Sequence, residues 1–400
     1  MPLANTADSY GAVARLFHWL TALLILTAIP LGLIANGLPY ESSEQLAQKA
    51  QLFSLHKTVG VAAFLVAALR ILWALLQPHP RPLHPDRRWE TGAAALVHWS
   101  LYISMLVVPL TGWIHHAATT GFAPILWPFG QTLPFVPTSE PVAQAAAALH
   151  WVFTKILVAS ILLHVAGALK HVLIDRDGTL ARMVSGRAAS GSGPGPGWLG
   201  PALAALAIYG AGAALALSLI PPTEAPGTAT QAPALSASGG NWTVQEGQLG
   251  LTVVQLGQKV SGSFADWAAD IRFDEAAVDG ANGSVTVTID VASVTLGSVS
   301  AQAKGADFFD TAAHPTATFT ATIRPGAAAG DYTAEGTLIL KGRTVPVTLP
   351  FTLALDGATG RMQGTTTLDR RDFGIGAGFP DEKNVGFPVI VTVDLTATRD

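Results

Sequence analysis

Four histidines lie inside apolar segments of the chain: His18, His56, His150 and His164. An ionisable side chain within a membrane span is costly, so it usually faces a cavity, a polar partner or a metal ion. His150 and His164 are 14 residues apart, which in an α-helix returns them to within about 40° of one face and separates them by roughly 21 Å along the axis. One helix would thus present two imidazoles at two depths.

These histidines are carried by apolar segments that are long enough to cross a bilayer, which takes about 20 helical residues. The first such segment is too long for a cleavable signal peptide and is followed at once by further spans, so we expect it to be retained. The sequence therefore predicts a membrane-embedded all-α bundle of four helices plus a fifth transmembrane helix. The five segments run approximately over 14–35, 53–76, 93–114, 147–172 and 198–220.

Loop charges predict the orientation of the spans, because positive residues concentrate on the cytoplasmic side. A cytoplasmic N-terminus leaves only Lys49 in the opposite loops. Everything after residue 220 is then exported, which places the C-terminal part in the periplasm of a Gram-negative cell and the spans in the inner membrane. The positive residues of the cytoplasmic side are Arg15, Arg81, Arg87, Arg88, Arg176, Arg182 and Arg187.

Alternating span directions place His18 and His164 near the cytoplasmic face, and His56 and His150 near the outer face. A six-coordinate haem iron takes two axial ligands from opposite sides, which such pairs in a bundle core supply. Zinc usually takes a third or fourth protein ligand at the same depth. The chain has no cysteine, which excludes iron–sulfur clusters and thiolate sites. For each histidine taken alone, the alternative is a hydrogen-bonded core residue.

Cationic residues near these depths are candidates for holding haem propionates. Lys57 and Arg70 fit this role. The alternative, which applies above all to Arg70, is that the long side chain extends to the membrane surface. Lys155 lies about one helical turn below His150, so we expect it to pair with a propionate or to stand in an aqueous pocket. The other membrane-domain histidines are predicted to be non-ligating: His98 and His171 interfacial or hydrogen-bonded, His115 and His116 at a solvated helix end, and His79 and His84 on the surface.

The composition changes after the fifth span. Two segments rich in Gly, Pro, Ser and Ala, residues 187–197 and 221–240, are predicted to be flexible linkers. From Asn241 onward, short alternating runs such as "GSVTVTIDVASV" and "FPVIVTVDLTAT" predict strands. The expected domains are a helical membrane domain at 1–186, linkers with the fifth helix (about 198–220) at 187–240, and an all-β domain at 241–400. A net charge of −4 without a basic cluster excludes nucleic acid as a partner.

Strands of this kind close into a lipocalin-like antiparallel barrel, and eight strands are just enough to enclose one ligand in an apolar lumen. Two polar segments of this domain are predicted to shape turns and strand ends rather than to carry chemistry. The first segment, which we expect to plug the barrel, consists of Asp307, Phe308, Phe309, Asp310 and His314 with Pro315. The second consists of Arg370, Arg371 and Asp372.

The motifs "RLFHWL", "LHKTVGVAAFLVAALRILWAL", "HWSLYISMLVVPLTGW" and "LLHVAGALKHVLIDRDGTLARM" make residues 10–184 similar to the bacterial cytochrome b561 family. The resemblance implies two b-type haems within four helices, with His18, His56, His150 and His164 as iron ligands. Many relatives follow the His150 position with a Glu, whereas Trp151 stands here. The motifs "GSFADWAADIRFDE", "ADFFDTAAHPTATFTATI", "GTLILKGRTVPVTLPFTL" and "TLDRRDFGIGAG" make residues 241–400 resemble the YceI-like domain, which implies a lumen for polyisoprenoid chains, including quinone tails.

Three functions remain open on these grounds. The first is a membrane-bound two-haem cytochrome of the respiratory electron transport chain, which passes electrons between a periplasmic-side donor and an isoprenoid quinone; superoxide is one candidate donor, with ubiquinone as the acceptor. The second is a lipid-binding carrier whose haem domain anchors it or senses redox state. The third is an electron conduit to a soluble periplasmic partner that docks on the barrel.

Overall fold

A computed structural model describes residues 2–119, 122–127, 130–193, 197–220, 239–297 and 299–400. The chain forms two compact units: a helical unit, built mainly from residues before 220, and a β unit, built mainly from residues after 238. Most of the second predicted linker, residues 221–238, and residues 194–196 of the first lie outside the described part of the chain.

The helical unit confirms the five predicted spans, since five of its described helices are long and apolar enough to cross a membrane. The second, third and fourth begin several residues before the apolar segments that reveal them, because Glu, Gln and Ala continue a helix beyond the hydrocarbon layer. The helices are α1 (Ala12–Gly37), α2 (Ser43–Leu75), α3 (Arg88–Ala118), α4 (Glu140–Lys170), the short α5 (Thr179–Val184) and α6 (Leu199–Ser218).

The helix α4 does not stop at Lys170 but widens into a π-helical turn, His171–Asp175. Arg176 then adopts a left-handed conformation with φ of 53°, which ends the helix. A π-helical turn inserts an extra residue and rotates the side chains that follow, and such turns are frequent at functional sites.

The fifth span packs on α3 and α4 through a tyrosine. The Tyr209 hydroxyl is hydrogen-bonded to the Ser104 hydroxyl and donates to the carbonyl of Ser100 at 3.2 Å. Its ring lies 5.2 Å from that of Phe153. Within hydrocarbon a polar group needs a protein partner, and a side chain that bonds across helices fixes their register.

The β unit is one antiparallel sheet that closes on itself. Its last strand pairs with its first from Trp242↔Arg399 to Thr252↔Ile390, so eight strands form a closed barrel and confirm the predicted fold class. The other two strands, residues 258–264 and 294–295, extend one edge of the first strand and lie outside the closed ring. The strands are β1 (Trp242–Gln255), β2 (Gln258–Phe264), β3 (Trp267–Val278), β4 (Ala281–Asp290), β5 (Val294–Thr295), β6 (Thr316–Pro325), β7 (Asp331–Leu340), β8 (Arg343–Asp356), β9 (Thr359–Asp369) and β10 (Pro388–Arg399).

The weakest seam of the barrel lies between β1 and β3. Their backbones pair only at Trp242↔Ile271 within the described strands, and farther along β1 residues 249–255 pair with β2 instead. Side chains reinforce the seam: the Trp242 indole donates to the carbonyl of Phe273 at 3.1 Å, and the Asn241 amide donates to the same carbonyl at 3.0 Å. These bonds satisfy polar groups that a longer ladder would otherwise pair.

Candidate haem sites and barrel lumen

The rings of His56 and His150 face each other across the bundle, with 6.2 Å between their centroids and planes at 82°. Each ring is held through Nδ1, which lies 2.8 Å from a backbone carbonyl: Ala28 for His56 and Val108 for His150. A carbonyl can only accept, so each Nδ1 carries the proton and each Nε2 keeps its lone pair. This tautomer is the one that a histidine ligand to a metal adopts when its other nitrogen is anchored.

Each of these two rings packs against a glycine of the neighbouring helix. A Cβ atom at Gly32 of α1 would lie 2.8 Å from Cε1 of His56, and one at Gly112 of α3 would lie 3.0 Å from Cε1 of His150. Both glycines stand four residues after the carbonyl that holds the ring, so the same helix surface supplies the acceptor and the space. The close approach of helix and imidazole therefore depends on these glycines.

His18 and His164 form a second pair, with ring centroids 6.0 Å apart and planes at 53°. A third imidazole joins them, since His98 of α3 lies 5.2 Å from the His164 ring. Arg70 donates to Nδ1 of His18 at 3.2 Å, so that nitrogen accepts and the His18 proton sits on Nε2. The two pairs thus share their ring separation but differ in the tautomer that their surroundings favour.

The ring separations suit two axial ligands of one iron. Two metal–nitrogen bonds of about 2 Å, together with the ring radii of two imidazoles, span roughly 6 Å between centroids. Both observed values, 6.0 and 6.2 Å, agree with this span. Because His150 and His164 belong to the same helix, α4 supplies one ring to each pair.

The cations of the bundle turn toward histidines. Lys57 Nζ lies 3.3 Å from Nδ1 of His116, and His116 Nε2 lies 3.0 Å from the Gln131 amide oxygen. His116 is only 6 % exposed, so the expectation of a solvated helix end is wrong for this residue. Arg70 points to His18 rather than snorkelling alone to the helix end. Hydropathy predicts neither the Lys57–His116 contact nor the Arg70–His18 contact.

Lys155 does not face the bundle interior. Its side chain is exposed on α4 and lies over the Trp151 ring, with Nζ 5.2 Å from the ring centroid. The expected pairing with a propionate or position in an internal aqueous pocket is therefore wrong. A cation over an indole face is attracted by the negative potential of the ring.

The barrel encloses an apolar cavity of about 280 Å³. Phe308 and Phe309 line it, and the Phe309 ring contacts Phe264 at 5.9 Å. The segment around them therefore contacts the lumen, whereas the sequence favoured a turn and barrel plug over ligand contact. Gln255 also lines the cavity, is 4 % exposed, and has an amide oxygen without a hydrogen-bond partner in the described part of the chain.

Arg370 borders the lumen and is 4 % exposed. Its guanidinium donates five hydrogen bonds of 2.5 to 3.1 Å, all to backbone carbonyls. Burial lowers the pKa of Arg370, and the neighbouring Asp369 carboxylate partly offsets this. The residue thus organises the chain after β9, as expected for a turn role rather than chemistry. The five acceptors are Gly386, Ile375, Gly376, Phe379 and Val385.

Fold and site together define a helical membrane protein with paired intramembrane histidines, followed by a lipocalin-like barrel. A family model described as prokaryotic cytochrome b561 matches residues 9–186, and one described as YceI-like domain matches residues 242–397. Cytochrome b561 homolog 2 of Escherichia coli (strain K12) is 33 % identical over 187 residues, which cover 46 % of this chain and 95 % of that protein. The chain therefore belongs to the prokaryotic cytochrome b561 family, whose members carry b-type haem.

Two further comparisons concern one part of the chain each. The probable superoxide oxidase CybB of Yersinia pestis is 25 % identical over 176 residues, which cover 44 % of this chain and 95 % of that protein. The crystal structure of Burkholderia cenocepacia BcnA is 35 % identical and covers 38 % of this chain and 96 % of that one, with a TM-score of 0.36. The two family models match the two parts of the chain separately, at residues 9–186 and 242–397.

The glycine contacts predict a sensitive position. Gly32→Ala is expected to push His56 off its carbonyl anchor and weaken haem retention at the His56–His150 pair by about tenfold or more, the usual cost of disturbing an anchoring contact. The measurement is haem retained after challenge with excess apomyoglobin. Gly37→Ala is the matched control, because nothing lies within 4 Å of a Cβ at that position of the same helix. Equal retention in both variants would contradict the prediction.

Proposed function

We propose that this protein is a two-haem membrane cytochrome that moves electrons between a donor at the outer membrane face and the isoprenoid quinone pool, and that its barrel holds the isoprenoid chain of the quinone. The observation that carries this proposal is the presence of two histidine pairs with ring centroids 6.0 and 6.2 Å apart, both completed by α4. Haem bound at each pair supplies one-electron transfer. Two sites at different depths suit electron movement across a bilayer.

The surrounding residues have distinct proposed roles. His56 and His150 hold one iron with rings already oriented by backbone carbonyls, and His18 and His164 hold the other. Lys57 and Arg70 are the proposed cations for haem propionates. Arg70 donates to His18 Nδ1 in this structure. If Arg70 paired with a propionate instead, Nδ1 of His18 could carry the proton, and its Nε2 would then be available to bind iron.

The proposed topology has a cytoplasmic N-terminus and a periplasmic barrel. It is supported by the arginines of one set of loops, since the opposite loops hold only Lys49. Superoxide is the candidate donor suggested by the name of the Yersinia relative. As an anion it requires steering by outer cations, for which Lys49 and Lys57 lie in the outer half of the predicted topology.

The barrel lumen supports the lipid part of the proposal. Its lining is almost wholly aliphatic and aromatic, as an isoprenoid chain requires, and burial of such a chain is favourable by about 0.8 kcal/mol per methylene. The Gln255 amide is the candidate partner for a polar ligand group. The same lumen favours the second candidate function, a polyisoprenoid carrier whose haem domain serves only as anchor or redox sensor.

One experiment separates the two candidates. The purified full-length protein is mixed anaerobically with a water-soluble quinol analogue, and the haem α-band is followed in a stopped-flow spectrometer. Electron exchange with quinone predicts reduction of both haems within seconds. Haems that stay oxidised in a protein that binds isoprenoid tightly would exclude the electron-transfer function and leave the carrier.

A further inference from the structure

Two histidines and an aspartate meet at the end of the helical unit where α4 finishes. His84 Nε2 lies 2.9 Å from Oδ2 of Asp177, and His171 Nδ1 lies 2.7 Å from the same oxygen. The donor atoms of the three residues all lie within 4.8 Å of one another. The two imidazole planes are nearly parallel, at 8°, with centroids 6.2 Å apart. No motif or spacing predicts this convergence, and the expectation that His84 is an ordinary surface residue is wrong.

The backbone brings these side chains together from separate segments. The Pro-rich segment between α2 and α3 carries His84, whereas the π-helical turn begins at His171. The left-handed Arg176 then turns the chain so that Asp177 points back toward His171. The amide of Thr179 donates to Asp177 Oδ1 at 2.9 Å and fixes the carboxylate. One oxygen is thus anchored, and the other faces the two imidazoles.

The charges around the cluster distinguish two neighbouring carboxylates. Asp175 is already paired with two cations, Arg87 Nη1 and Lys170 Nζ, each 2.9 Å away, and its Oδ2 also lies 3.3 Å from Nδ1 of His171. In the part of the chain that the structure describes, Asp177 has no lysine or arginine within 4.0 Å and is paired only with the two imidazoles. Metal binding requires both imidazoles in their neutral form, and the carboxylate then leaves a net negative charge for a cation to compensate.

We propose that His84, His171 and Asp177 bind one divalent first-row transition metal ion, with Zn²⁺ as the probe. Two imidazole nitrogens and one carboxylate oxygen are a donor set that such ions accept, usually with water in the remaining position. Tetrahedral bonds of about 2.1 Å need donors roughly 3.4 Å apart, so the two short contacts to Asp177 would open by about half an ångström. The side chains of His84 and His171 are 32 % and 26 % exposed, which leaves a side open to solvent.

The bound ion would tie the segment before α3 to the end of α4. This site lies apart from the paired histidines, uses none of the residues assigned to haem, and holds or fails independently of the proposed electron transfer. Metal binding here would stabilise that end of the helical unit by mass action, in proportion to how far the free ion exceeds its dissociation constant.

The test uses the full-length haem protein made without a polyhistidine tag. After chelator treatment it is dialysed against micromolar Zn²⁺, and zinc and iron are measured together by mass spectrometry. We expect one tightly held zinc per chain in the parent, and binding weaker by about tenfold or more after His84→Ala or Asp177→Asn. His79→Ala removes an exposed histidine of the same segment and is expected to retain the ion. Unchanged iron content reports an intact haem domain.

Zinc binding that is absent from the parent, or equal in the parent and His84→Ala, would overturn the proposal. An equal loss in His79→Ala would also overturn it, because it would indicate an adventitious surface ion. If His84→Ala also loses iron, its folding is impaired and His84→Gln is measured instead. A glutamine side chain can still donate to Asp177 but is a poor zinc ligand. Parent-level zinc in that variant refutes the site, and loss of zinc with iron retained supports it.

Discussion

Replacing His164 with alanine is expected to halve the haem content of the purified protein, from two haems per chain to one. The variant removes the only α4 ring that faces His18, whereas the His56–His150 pair keeps both of its rings and both carbonyl anchors. Loss of one axial imidazole leaves the iron without the second ligand that a bis-histidine site requires. The measurement is a pyridine haemochrome spectrum divided by protein concentration.

The remaining histidines make this prediction specific. His150→Ala is expected to remove the other haem, and the double replacement of His150 and His164 to give a colourless protein. His98 also borders His164, so His18→Ala and His98→Ala must be compared: the proposed pairing requires haem loss from the first and retention in the second. His79→Ala serves as the control, since that residue is exposed. Full haem content in His164→Ala would contradict the assignment of this pair.

Filling the barrel lumen is expected to abolish isoprenoid binding and leave the haems unchanged. Ala317 points into the cavity from β6 and is 3 % exposed. A phenyl group at this position that displaces only two methylenes of the ligand costs about 1.6 kcal/mol, and roughly 1.4 kcal/mol already corresponds to a tenfold loss of affinity. We therefore expect Ala317→Phe to weaken binding of a geranylgeranyl probe by at least tenfold.

Thr320→Phe is the matched control, because Thr320 lies on the same strand with its side chain exposed. It adds the same ring outside the barrel and should bind the probe like the parent. Overpacking can also destabilise a core, so amide hydrogen exchange of the strands is measured in the full-length protein. Protected strands show that the barrel is folded and that a loss of binding comes from the filled cavity. Parent-level binding by an Ala317→Phe variant with a protected barrel would exclude the lumen as the ligand site.

If both replacements behave as expected, quinol-driven reduction of the Ala317→Phe variant becomes informative. Slower reduction by a long-chain quinol, with normal reduction by a short-chain analogue, would indicate that the barrel delivers the quinone by its tail. Equal rates for both quinols would assign the lumen to a lipid that is not the electron partner. The comparison therefore links the two units functionally.

The spans and strands follow from local patterns. A run of apolar residues long enough for the bilayer, or a run that alternates with period two, determines its own secondary structure whatever packs against it. The depth of His18, His56, His150 and His164 also follows from position along a helix. For this reason the five spans and the barrel could be predicted from the sequence.

Other features depend on which way each helix face turns and on which distant segments meet, and neither is encoded by hydropathy or spacing. His98 beside His164, His116 buried against Lys57, and Lys155 exposed on α4 all follow from helix rotation. The closure of β1 on β10, the five carbonyls around Arg370, and the meeting of His84 with Asp177 join residues that lie between 5 and about 150 positions apart. Such contacts are decided by packing of the whole chain, so only the tertiary structure determined them.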